Sequence, residues 1–407
     1  MGRFRKSCAL AFLLFASTAR AAKIALAPGV PGLEDASLNI NLQIQTWVQA
    51  VENQAPNGTS FNTQIFLRRI RPTLLGDITK QLHFVFQLDS PNFGRNGTGG
   101  DPMGISAGAA QTHIVIVDAV AIYEPTPGIF IGAGQLLLPL SHHQVQASLS
   151  FVTLDIHGNT IRFPGWNAAA AAGSGQTSTA ANLLREPGVE SRGWLFGKKL
   201  GYRVGIYNGV RGTSGTYDPN NVTSTVGLNP DELPQIGAYL HYNFLDSEER
   251  GRLYQGVYFS DKPIFSIGVG GGFQAKAIHN VPGYGTGPQD WRALAADLYA
   301  SLPPGPDQEL IAQADFYNYD FGDHNPNTGN GFFVEIGYRF GTLQPEASFE
   351  YFSANETHTN DARIWTAGIN WWYLRVNSLK LEVGTSKLGT LANPTVRSLT
   401  AQWQLFF

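Results

Sequence analysis

Two arginines two residues apart, Arg69 and Arg71 in "FLRRIRPTLLGDI", are the side chains best placed for chemistry in this 407-residue chain. On a strand, residues i and i+2 share a face, so the pair offers two guanidinium forks on one wall. Such forks give anions charge-assisted, bidentate hydrogen bonds. Phe66, Ile70 and Leu74 are then expected on the opposite face. The same parity argument adds Arg203, opposite Tyr202, Val204 and Ile206. It adds Lys276, which shares a side with Gln274 against Phe273 and Val269, and Arg339, against Tyr338 and Phe340. These bases equally suit a structural role, pairing with Asp118, Asp315, Glu335, Glu346 or Glu350 to stiffen a wall. Other groupings carry less. His142 and His143 are adjacent in a polar stretch, with His157 following, but no cysteine or helically spaced carboxylate accompanies them, so no metal site is expected. "GVGGGF" (268–273) lies in an alternating stretch with no helix after it, which excludes a nucleotide loop and points to close backbone approach. No Ser/His/Asp set has the strand–turn–helix setting of a hydrolase. Neither a catalytic residue nor a cofactor is expected.

The elements that would position these residues are strands. "SLNINLQIQTWVQ" sets Leu38, Ile40, Leu42, Ile44 and Val48 against Asn39, Asn41, Gln43 and Gln45. "QLHFVFQLD", "QIGAYLHYNF" and "GFFVEIGYRF" repeat the two-residue alternation. Further alternating segments lie near 61–76, 112–124, 128–138, 188–198, 200–210, 264–277, 290–302, 307–319, 343–353, 361–374 and 377–388. The closing "SLTAQWQLFF" brings the count to sixteen. "RLYQGVYFS" (252–260) is a seventeenth candidate, read as a structured turn because single-chain barrels have even strand numbers. Amides, charges and glycines on one face and aromatic and aliphatic residues on the other suit a closed sheet, wet inside and oily outside. The expected fold is an all-β transmembrane antiparallel barrel of about 16 strands over 37–407. Connectors alternate in length: short at 196–199 and 340–345, long at 90–111, 139–187, 211–232, 278–289 and 320–329. The longest, 139–187, is the expected constriction loop, carrying Arg162 and Arg185. A final strand ending on Phe407 makes sense if it pairs with the first and closes the ring.

Composition agrees. Charged residues make up 14% of the chain, against about 25% in ordinary soluble domains, and no apolar run is long enough for a membrane helix. Residues 1–21 read as a secretory signal: Arg3, Arg5 and Lys6 precede "ALAFLLFA", and Ala19–Ala21 offers a small-residue cleavage site. Residues 22–36 would form an N-terminal periplasmic segment. The only cysteine, Cys8, lies in the signal, so the mature chain has no disulfide or thiolate site. After cleavage, 24 basic residues face 31 acidic ones, a formal charge of −7. That excludes a nucleic-acid partner.

"FLRRIRPTLLGDI" resembles the second strand of the phosphate-selective porin O/P family of bacterial outer-membrane channels. "VDAVAIY" (117–123), "GQLLLPLS" (134–141), "REPGVESRGWLFGKKLGYRVGIYNG" (185–209), "QPEASFEYF" (344–352), "GINWWY" (368–373) and "QWQLFF" are similar to further phrases of that family, in the same order. The resemblance implies a 16-stranded barrel in outer-membrane lipid, usually a homotrimer, with a constriction loop folded in after the fifth strand and basic residues along the pore. The function implied is passive diffusion of small hydrophilic solutes or inorganic anions such as phosphate. The chain departs from the family at Leu137, where the motif has lysine, and at Ser348, where it has arginine. A different class of function, adhesin or phage receptor through the long loops, fits the same barrel.

Overall fold

Alternation along the chain becomes hydrogen-bonded pairing around a closed ring. The computed structural model describes residues 22–25, 30–31, 33–34, 36–55, 57–95, 114–158, 160–161, 184–212, 215–218, 220–221, 227–248, 259–389 and 393–407. The signal segment 1–21 and Arg162 lie outside them, as does most of the 252–260 candidate strand. In chain order the strands are β1 (Ala22–Ala25), β2 (Ser37–Val51), β3 (Asn62–Asp77), β4 (Leu82–Asp89), β5 (Val115–Thr126), β6 (Ile129–Leu137), β7 (Arg185–Leu195), β8 (Leu200–Tyr207) and β9 (Gln235–Asn243). There follow β10 (Ile264–Ile278), β11 (Gln289–Leu302), β12 (Gln308–Asp320), β13 (Gly329–Phe340), β14 (Leu343–Ala354), β15 (Ala362–Leu374), β16 (Asn377–Leu388) and β17 (Val396–Phe406).

From β2 to β17 each strand pairs antiparallel with the next, and β17 returns to β2 with Thr400 opposite Gln49 and Gln404 opposite Gln45. The seam is tied on its inner side by Gln45 Nε2 donating to Gln404 Oε1 (2.7 Å) and Trp47 Nε1 donating to Gln402 Oε1 (2.7 Å). Leu42 and Phe407 exchange backbone hydrogen bonds at its end. Closure leaves no sheet edge, which is what lets strands cross a bilayer. β17 ends at Phe406, and β1 continues along the same edge of β2, with Lys23 opposite Asn39. Part of the expected N-terminal segment therefore belongs to the sheet.

Short connectors (78–81, 127–128, 196–199, 303–307, 341–342, 375–376) gather at one rim, from which the longer β9–β10 connection also leaves. The β2–β3, β4–β5, β6–β7 and β8–β9 connections leave from the other rim. Val48, Ile65, Val189, Ile206, Val269, Leu294, Val334, Val383 and Leu399 all stand exposed on the outer surface. A continuous apolar belt of that size requires lipid. No helix among the described residues is long and apolar enough to cross a membrane.

Regular alternation breaks at defined places. A bulge in β3 sets Gln45 opposite Arg69 but Thr46 opposite Leu67, leaving Arg68 as the extra residue. The bulge reverses parity, so Phe66 is buried on the inner side rather than on the outer one expected for it, and Arg68 joins Arg69 and Arg71 inside. A second irregularity between Gln274 and Ile278, with Lys276 at a left-handed φ of 51°, turns Lys276 away from Gln274. Lys276 is exposed and pairs with Asp231 (2.6 Å), so it does not share the inner face as expected.

Candidate functional site: the infolded segment and the lumen it leaves

Residues 138–158 and 160–161, which follow β6, pass through the barrel interior. Because β1 lies outside the ring count, this connector follows the fifth barrel strand. It carries a one-turn helix, α1 (His142–Val145), capped by Ser141 Oγ accepting from Gln144 N, and a 3-10 turn over Ser148–Ser150. Glycines on the facing wall admit it. A Cβ on Gly270 would collide with the Leu140 carbonyl oxygen, and one on Gly337 would sit 2.7 Å from Val152 Cγ1. The close approach expected for "GVGGGF" is thus realised at Gly270.

Wall side chains then tie the segment on every side. Lys380 Nζ donates to the carbonyls of Phe151 (2.8 Å), Val152 (3.3 Å) and Thr153 (2.9 Å). Asn370 Nδ2 also donates to Val152 O (2.8 Å), and Glu382 Oε2 accepts from Leu154 N (3.2 Å). Arg68 Nε donates to Asp155 Oδ2 (2.7 Å), and Arg69 reaches the other oxygen of the same carboxylate. Burial opposes charge on Asp155, but the two guanidiniums and the Ile156 N–H outweigh it and hold the carboxyl well below the usual carboxylate range. Thr160 N donates to Glu350 Oε1 (2.9 Å), and Ser148 Oγ donates to Gln43 Oε1 (3.0 Å).

The three histidines are part of this network, not a solvated loop. His142 stacks on Tyr299 (centroids 3.9 Å) and meets Glu248 Oε2 at 2.9 Å. His143 accepts from His157 N at Nε2 (3.0 Å), and His157 meets Glu335 Oε2 at 3.2 Å. No group of three or more His, Cys, Asp or Glu side chains suited to a metal ion exists among the described residues.

The segment fills the β9–β16 side of the barrel with a mixed apolar and ionic core. On the β2–β7 side it leaves a cavity of about 570 Å³. Asn39, Asn41, Gln43, Arg69, Arg71 and Thr73 form one wall of that cavity, from β2 and β3. Val85, Ile122, Phe130 and Trp194, from β4–β7, form the other, with Phe151, Ile156 and Ile161 of the infolded segment. The inner faces of β5 and β6 are therefore largely apolar, at Val120, Ile122, Phe130 and Leu136, with Asp118 a charged exception on β5, against the expectation of a polar inner face on every strand. Among the described residues, Gln43 Nε2 and both side-chain polar atoms of Gln144 have no hydrogen-bond partner, and both residues line the cavity.

Arg69 and Arg71 line the cavity, Arg71 donating from Nε to Asp89 Oδ2 (2.7 Å) and from Nη1 to Ser148 Oγ (3.0 Å). Arg185 also lines it, but as the first residue of β7, opposite Leu137, with Nε on Asp118 Oδ1 (2.8 Å). It is a strand residue rather than a loop residue. Arg203 is buried on the inner side of β8, 3.7 Å from Glu190 Oε1, which also accepts from Arg192 (2.9 Å). Arg339 sits at the short-turn rim, against Glu309 (3.4 Å) and over the Phe259 ring (4.6 Å), away from the cavity. Parity along the sequence does not mark Arg68, Asp155 or Lys380. The Arg-Arg-x-Arg run was the available signal, since only a bulge brings all three of its arginines inside.

No protein-family model and no curated protein matches the chain. Solved structures do. An anion-selective porin from Comamonas acidovorans is similar at 15% identity, over 91% of this chain and 100% of that one, with a TM-score of 0.53. The outer membrane channel DcaP of Acinetobacter baumannii is similar at 12% identity, over 91% and 97%, with a TM-score of 0.52. OmpT, an outer membrane protein of Vibrio cholerae in its trimer form, is similar at 11% identity, over 91% and 99%, with a TM-score of 0.50. The chain has the fold of these barrels. At such identities the likeness is one of fold.

Proposed function

We propose that the protein is a bacterial outer-membrane channel for passive diffusion of small hydrophilic solutes, with a weak preference for anions. The observation that carries this reading is the cavity of about 570 Å³ beside the infolded segment, with Arg69, Arg71 and Arg185 on its lining. A barrel with an oily exterior and a narrowed, base-lined interior lowers the barrier for a solute without doing chemistry. The preference is weak because each of these guanidiniums already directs donors at a carboxylate, Asp155, Asp89 or Asp118. Phosphate then passes as one anion among others. Export on the signal read at 1–21, residence in outer-membrane lipid and assembly as a homotrimer belong to the same reading, the last supported by the trimer form of the V. cholerae protein. Recording from planar bilayers tests it. Discrete conductance steps and a reversal potential of anion-preferring sign in a KCl gradient are expected. Absence of steps would end the channel reading, and cation preference would end the anion branch.

A further inference from the structure

The outer face of the barrel at the long-loop ends of β13–β16 differs from the rest of the belt. In register across four strands stand Phe332, Tyr351, Arg363 and Lys387, with Tyr351 opposite Arg363 and Arg363 opposite Lys387. Two cations directly across a ladder repel each other at a side-chain spacing of roughly 5 Å. Among the described residues, neither forms a hydrogen bond or ion pair; Arg363 only overlies the Tyr351 ring, at 5.8 Å. Several other exposed bases are compensated: Lys276 by Asp231, Arg211 by Glu232, Arg292 by Asp290, and Arg397 on the adjoining strand by Glu52. Beside the two cations lies a hollow of about 330 Å³ lined by Phe332, Phe349, Tyr351, Arg363 and Trp365. Phe349 and Trp365 pack at 4.1 Å between centroids, and Trp365 is 56% exposed.

We propose that this face binds a phosphorylated lipid, its phosphate held between Arg363 and Lys387 and an acyl chain lying in the aromatic hollow. A phosphate between the two cations turns a repulsion into two charge-assisted contacts, and the phosphate geometry matches a guanidinium fork. The hollow is apolar and opens on the lipid belt, which suits a hydrocarbon chain rather than a soluble anion. Aromatic residues at this height are the usual companions of head groups. The inference rests on the membrane-barrel reading but not on conduction.

The full chain in non-ionic detergent can be titrated with lipid A, phosphatidylcholine or inorganic phosphate, bound lipid being counted by native mass spectrometry. Lipid A is expected to be retained at least tenfold better than phosphatidylcholine. The Arg363→Gln/Lys387→Gln double variant should lose that advantage, Trp365→Ala should lose about a third to a half of it, and Arg397→Gln should keep it. Equal retention of lipid A and phosphatidylcholine would overturn the proposal, as would full retention by the double variant. Inorganic phosphate competing as well as lipid A, mole for mole, would also overturn it, because the hollow would then contribute nothing. Arg363 is exposed and Lys387 half-buried on the outer face, and an unchanged temperature of gel-mobility shift verifies folding. Conductance steps measured on the same preparations report separately on the channel: their absence would leave the lipid result standing.

Discussion

Replacing Lys380 by methionine should loosen the infolded segment and be visible as current. Lys380 is 5% exposed and its ammonium is the point where three consecutive carbonyls, Phe151, Val152 and Thr153, meet the wall. A hydrogen bond from a charged donor contributes roughly 1.5–3 kcal/mol net. The three contacts share one ammonium and are not additive, so loss of the set lies near the 3–5 kcal/mol seen when one partner of a buried pair is removed. Two features reduce the figure. Val152 O keeps its bond from Asn370, and lumen water can reach the Phe151 and Thr153 carbonyls once the ammonium is gone. A remaining cost of about 2–3 kcal/mol corresponds to roughly a 30- to 140-fold weakening of local docking, at 1.4 kcal/mol per factor of ten. In single-channel recordings the wild type should give one steady level, and Lys380→Met should flicker to a larger one as the segment leaves the wall. The gel-mobility shift should also move to lower temperature. A variant with the wild-type level, the wild-type noise and the wild-type shift temperature would refute the idea that this ammonium anchors the constriction.

Two further outcomes follow from the same geometry. The Arg69→Gln/Arg71→Gln variant should lower the anion-to-cation permeability ratio by about twofold, the modest size expected of guanidiniums already facing carboxylates, while Lys276→Gln, being exposed and paired with Asp231, should leave it unchanged; a reversal potential identical in all three proteins would show the arginines to be structural ties only. Gly270→Val places a side chain where the Leu140 carbonyl now lies, so the infolded segment must shift; the expected result is a larger conductance and a barrel that unfolds at lower temperature, and a wild-type pair of values would mean that the segment is not seated on Gly270.

Much of the architecture was legible because strand parity is a local property. Each of the sixteen segments read from alternation has its counterpart among β2–β17, and the amide row Gln45, Gln49, Gln402 and Gln404 sits at the seam that the closing decamer required. What parity could not show are the single-residue events that reverse it. The bulge at Arg68 is one residue long yet decides that Phe66 and three arginines face inward, and one left-handed φ sends Lys276 outward. The fate of the infolded segment was equally hidden. Asp155 acquires its charge partners from 87 residues earlier and Phe151 its ammonium from 229 residues later. No window along the chain contains both members of either pair. The histidines illustrate the cost: in sequence they look like a polar loop, and only packing on Tyr299 and Phe333 makes them interior residues.

Charge compensation connects the two faces of the barrel. Inside, the bases at the constriction meet carboxylates: Arg68 and Arg69 on Asp155, Arg71 on Asp89, Arg185 on Asp118, Arg192 and Arg203 on Glu190. Removing such charges from bulk water is costly, and pairing with good geometry is what makes their burial tolerable. That same pairing fixes the segment in place and leaves only a small positive bias for a passing solute, so rigidity and strong selectivity compete for one set of guanidiniums. Arg363 and Lys387 face no such competition, because nothing on the lipid side calls for them to brace a wall. Two bases held opposite each other on an oily surface, without an anionic partner among the described residues, are placed for the phosphorylated lipid proposed above.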